Sequence, residues 1–83
     1  MKSVEYYTKK FGSDKQKAFI HLAKEVGELA GSIEKGNEAT AQYELAEIVG
    51  ICHFLASAYG VADLNARVEE IYATKLAKLD AQH

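Results

Sequence analysis

The sequence contains no proline and only one cysteine among its 83 residues. A lone thiol, Cys52, excludes a disulfide framework and a zinc ribbon; in its apolar surroundings it reads as a small hydrophobe. Basic clusters are missing too: the net charge is −2 and no run of Lys and Arg forms a stripe, which argues against nucleic acid as a partner. The opening MKSVEYYTKK carries no apolar targeting core, and no run of apolar residues is long enough to span a bilayer. No membrane partner and a cytoplasmic location are therefore expected. With 48% apolar and 27% charged residues, the balance is that of a folded soluble chain. Its length suits a single domain spanning residues 1–83, small enough that self-association would help it to fold.

What is present is helical patterning. The β-branched residues do not alternate, and glycines divide the chain into four segments. The first should run over Ser3–Phe11 with the stripe Val4, Tyr7, Phe11. Ser13 followed by Gln16 fits a capping box opening the second. Gly36 then Asn37 pairs a helix-ending glycine with a helix-starting cap, predicting a tight hairpin. Gly60 closes the third helix, and Asp63 caps a fourth that should reach about Asp80.

The second helix shows Phe19, Leu22, Val26, Leu29 and Ile33, the seam of a helical bundle. The third carries Leu45, Ile48, Val49, Ile51, Cys52, Phe54 and Leu55, apolar in nearly every direction. Such a helix must be buried on all sides. Three neighbours, one of them short, do not easily surround it. The fold class expected is therefore an all-α antiparallel bundle of about four helices, completed by homo-oligomerisation as a homodimer or homotetramer. A compact monomer with some exposed apolar surface is the alternative.

Two acidic pairs stand in these helices: Glu25 with Glu28, and Glu44 with Glu47. Residues three apart share a helix face. The two pairs lie at similar distances either side of the Gly36-Asn37 turn, so an antiparallel hairpin should bring all four carboxylates to one height. Clustered, partly buried carboxylates repel one another unless cations neutralise them. An all-oxygen donor set suits Mg²⁺ or Mn²⁺ rather than zinc. The bland counterpart is a solvated acidic flank. Lys75, in the apolar stripe Leu64, Val68, Ile71, Leu79 of the fourth helix, and Lys78 nearby should come level with the acids if that helix packs antiparallel to the third. There a lysine would hold a phosphate oxygen, or else simply snorkel to solvent. His21, one turn before Glu25, joins them as a candidate substrate contact, with an interfacial packing role as the plainer reading. Tyr6, Tyr7 and Phe11 fit core or subunit packing better than base stacking. Gly27 and Gly31, on the side of the second helix away from the seam, and Gly50 admit either a close backbone approach or ordinary tolerance.

EVGELA, then ELAE and an apolar run, then VEEIYATK together resemble the MazG-like all-alpha nucleoside triphosphate pyrophosphatases. The resemblance covers about Phe19 to Lys75. It implies a bundle that dimerises or tetramerises and binds Mg²⁺ through Glu25, Glu28, Glu44 and Glu47. It implies hydrolysis of a nucleoside triphosphate to the monophosphate and pyrophosphate, with Glu25 as the candidate catalytic base. Glu47 stands where that family usually has Asp, and LAKLDAQH lacks the basic and asparagine residues that often follow its fourth-helix lysine. The alternative is a catalytically weak or inactive oligomerisation or binding module of the same fold. A third reading is a helical adaptor gripping another protein through the third helix.

Overall fold

A computed structural model describes residues 1–82, and they form four α-helices: α1 (Lys2–Phe11), α2 (Lys15–Lys35), α3 (Glu38–Ala58) and α4 (Leu64–Ala81). The turns follow the local chemistry closely. Gly36 adopts φ 68°, ψ 25°, the left-handed conformation that glycine enters without steric cost, and so ends α2. Asn37 immediately starts α3, its side-chain oxygen accepting from the Thr40 amide at 3.2 Å. Asp63 caps α4 in the same way through the Ala66 amide at 3.0 Å. At the start of α2 the cap is Asp14, not Ser13: its carboxylate accepts from the Lys17 amide at 3.0 Å. Gly12, at φ 63°, extends the turn by one residue and puts the stronger acceptor in place.

The α2/α3 hairpin is the body of the molecule, and α1 packs across one side of it. The core is small. Tyr7, Ala18, Ile51 and Phe54 are buried, with Phe11, Leu22 and Leu55 packed around them. Tyr7 is the keystone of α1, its ring centroid 5.8 Å from Phe11 and 6.0 Å from Phe54. Of the three glycines inside helices, only Gly50 marks a close approach: a Cβ there would lie 3.3 Å from the Ser3 Cβ, whereas Gly27 and Gly31 face open space.

Two expectations are corrected. The second-helix seam does not face α3 as a whole: Phe19 is 62% exposed and Ile33 66%, while Ala18 and two members of the polar stripe His21, Glu25, Glu28, Ser32, namely Glu25 and Ser32, are buried instead. The hairpin closes on polar side chains that hydrogen bonds between the helices can hold; of the seam, Leu22 still packs on the core and Leu29 is half-buried, while Phe19, Val26 and Ile33 are left uncovered. The fourth helix, moreover, does not fold back along α3. Leu64 is half-buried, and every later residue of α4 whose burial is described is exposed. Lys75 and Lys78 therefore do not come level with the carboxylates within one chain; the Lys75 ammonium lies 5.4 Å from the Tyr72 ring centre on its own helix. Among the described residues no helix is long and apolar enough to cross a membrane.

The tight turn sets the register of the hairpin, so its cap should matter for stability. Asn37→Ala is expected to cost about 1 kcal/mol, a loss of roughly 4–8 °C in melting temperature for a chain of this size. Thermal unfolding followed by circular dichroism checks it.

Candidate functional site

Each acid is placed by its helix position. Glu25, midway along α2, points straight at α3 and is 3% exposed. Glu47 reaches the same point from α3 and is half-buried, while Glu28 flanks it from the more exposed edge of α2. Carboxylate oxygens of Glu25, Glu28 and Glu47 lie within 4.8 Å of one another. Three of the four expected carboxylates thus share one centre.

The fourth does not. Glu44 is buried one turn nearer the hairpin, and its Oε1 accepts a hydrogen bond from the Ser32 hydroxyl. Ser32 in turn accepts from Thr40 Oγ1 at 2.8 Å. The chain Thr40–Ser32–Glu44 fastens the two helices at the hairpin end. Thr40 carried no periodic signal, and Ser32 read only as part of a polar stripe; a hydroxyl facing a buried acid across a hairpin shows itself only when both helices are in register. Equal height was right in outline, but the long side chain of Glu44 turns toward the nearer donor.

His21 lies beside Glu25, one helical turn away. Its Nε2 lies 2.9 Å from Glu25 Oε1, and its ring packs 5.6 Å from Tyr7 and 5.7 Å from Phe11. The histidine fixes one oxygen of Glu25 and is itself wedged by the aromatic side chains of α1. The other oxygen, Glu25 Oε2, is buried with no hydrogen-bond partner. An orphaned buried acceptor is costly, and here it belongs to a carboxylate with two more beside it. Burial, then the neighbouring charge of Glu25, raises the pKa of Glu47 above the ordinary carboxylate value. The Tyr7 hydroxyl is likewise pushed up, by burial first and then by the charges of Glu25 and Glu47. The arrangement is a negative centre short of positive charge. Its donors are hard oxygens at a spacing one small divalent cation can bridge, so the residues fit Mg²⁺ or Mn²⁺.

Beside the acids, at the hairpin end, lies an open recess of about 380 Å³ whose lining includes Glu28, Ser32, Lys35, Thr40 and Glu44. Lys35 is a cation not singled out from the sequence, because the last turn of a helix attracts lysine for electrostatic reasons of its own. The nearby Lys24–Glu28 pair, at 3.8 Å with both side chains largely exposed, adds little.

No family model matches this sequence, and neither the curated proteins nor the solved structures contain a match.

Two outcomes follow from the charge at this centre. Divalent cation at about 100 times its dissociation constant should stabilise the fold by about 2.7 kcal/mol, read as a Mg²⁺-dependent rise in melting temperature that Glu25→Gln removes. In EDTA, the raised Glu47 pKa means that the folded chain binds its proton more tightly than the unfolded chain. That contribution to stability is fully present below the ordinary carboxylate pKa and is lost as pH rises through the folded value. Urea unfolding across mildly acid to neutral pH measures the trend, which Glu47→Gln should flatten.

Proposed function

We propose that this chain is a nucleotide pyrophosphohydrolase dependent on Mg²⁺ or Mn²⁺, cleaving an NTP or dNTP to the monophosphate and pyrophosphate in nucleotide house-cleaning or pool control. The observation that carries the reading is the unsatisfied, buried Oε2 of Glu25 held among Glu28 and Glu47. Buried carboxylate oxygens ordinarily have a hydrogen-bond partner. The resemblance of EVGELA, ELAE and VEEIYATK to the MazG-like enzymes points the same way.

Glu25, Glu28 and Glu47 would hold the cation. When bound, it polarises phosphoryl oxygens and eases deprotonation of water. His21 keeps Glu25 in a single orientation, with one oxygen occupied and the other turned to the centre. Glu25 is also the candidate to take a proton from an attacking water, in competition with its hold on the cation. The aromatic side chains of α1, Tyr7 and Phe11, pack against His21 and shield that flank of the centre from solvent. Lys35 supplies positive charge on the rim of the recess, where a phosphate chain extending from the centre would lie. Lys75 and Lys78, on a helix that leaves the bundle, have no part in this site within one chain. The enzyme would act as a homo-oligomer.

One observation favours the alternative of a weak or inactive module of the same fold: Glu44 commits its carboxylate to Ser32, leaving three acids rather than four at the centre. Pyrophosphate release from a panel of ordinary and modified NTPs and dNTPs, with and without Mg²⁺, separates the two. The hydrolase reading expects Mg²⁺-dependent release that Glu25→Gln lowers at least about 100-fold. Silence across the panel, or a Glu25→Gln variant as fast as the parent, would leave the module.

A further inference from the structure

Two apolar faces of this chain have nothing against them. On the hairpin, Phe19, Val26 and Ile33 recur seven residues apart along α2, and Leu45 and Val49 continue the surface on α3; each is about half to two-thirds exposed. At ~100° per residue the α2 row lies a quarter-turn round from buried Glu25, on the side of the hairpin opposite to α1. The second face belongs to α4. Val68, Ile71, Tyr72, Leu76 and Leu79 occupy one arc of this helix and are 37–57% exposed, with Lys75 among them, a side chain long enough to lay its stem along the apolar surface and keep its ammonium in water. Arg67, Glu69, Glu70 and Asp80 occupy the other arc.

The areas say how much is missing. A compact chain of 9.1 kDa exposes about 4,900 Å². This one exposes 6316 Å², about 1,400 Å² in excess, where a standard interface takes about 800 Å² from each partner. The radius of gyration tells the same story: 15.3 Å against about 12 Å for a compact chain of this length.

We infer that α4 of each copy lies across the uncovered α2/α3 face of a second copy, so that two chains exchange their fourth helices and close each other's bundles. A second copy is the occupant because the excess is divided between two faces that the same chain carries. A two-fold exchange covers both at once, face on arc and arc on face. A different protein would have to supply two matching surfaces of its own. The Tyr59–Asp63 connection, with Gly60 at φ 78°, sends α4 off the end of its own bundle and leaves it free to reach another. This assembly rests on the packing alone and not on hydrolysis; molecular mass reads the one, pyrophosphate release the other.

Sedimentation equilibrium at tens of micromolar should return twice the 9.1 kDa chain mass. Val26→Glu and Ile71→Glu, both at sites exposed in the single chain, should each give a helical monomer. A monomeric parent, or an Ile71→Glu variant that remains dimeric, would overturn the proposal. Strand origin is read with Cys52, which lies half-buried on the same side of α3 as Leu45 and Val49. Paired in turn with Val68→Cys, Ile71→Cys and Leu76→Cys under mild oxidation, it should yield a covalent dimer in at least one case, beyond the parent's own level. Intrachain bridges only, or none, would rule out the exchange.

Discussion

The structure turns on a carboxylate placed where a leucine would ordinarily be. Glu25 is 3% exposed at the middle of the α2/α3 interface, and the elements around it can be understood as answers to its charge. His21 secures one oxygen, and Tyr7 and Phe11 of α1 hold His21 in place. Ser32 and Thr40 tie Glu44 down at the hairpin end, so that a second buried acid does not add to the same centre. The second oxygen of Glu25, turned toward Glu28 and Glu47, is buried without a hydrogen-bond partner. Carboxylates gathered in this way repel one another, and the raised pKa of Glu47 is one expression of that repulsion.

The same arrangement explains why the core is so thin. An interface that spends its centre on polar side chains has little room for aliphatic ones, and among the described residues Ile51 is the only large side chain fully enclosed. The leucines, valines and isoleucines that would ordinarily fill a bundle are displaced to the far side of α2 and α3 and to one arc of α4. Hydrophobic burial, the main favourable term in folding, has thus been moved outward to a surface a single chain does not close. The acids take the inner face and one flank of the hairpin, the exposed apolar residues the other.

Much of this was legible in the sequence, and what was not has specific causes. Helix boundaries were readable because Gly36, Asn37 and Asp63 perform their roles through local backbone chemistry that needs no tertiary context. The meeting of Glu25, Glu28 and Glu47 followed from counting either side of the hairpin turn, since antiparallel helices joined by a tight turn share a common height. Glu44 escaped that count because height fixes where a Cα sits, whereas a flexible side chain chooses among donors, and Ser32 is the nearer. The inward face of α2 was misjudged for a different reason: periodicity reveals that an apolar stripe exists but not which neighbour covers it. Phe19, Val26 and Ile33 are a bundle seam in pattern, yet nothing among the described residues of this chain covers them. The fold-back of α4 failed on the same ground, as a helix follows the nearest available partner only when the connection lets it.

The two-residue turn at Gly36 and Asn37 also constrains how such a chain can change over time. With no slack in the turn, one residue added to α2 between Glu28 and the hairpin would swing Glu25 and Glu28 about 100° away from Glu47. Insertions that preserve the centre must come in matched helical repeats, roughly seven residues on each arm, which restore both angle and height. Length variation in this hairpin is therefore quantised: the arms can grow by pairs of turns, while any single-residue drift scatters the acids.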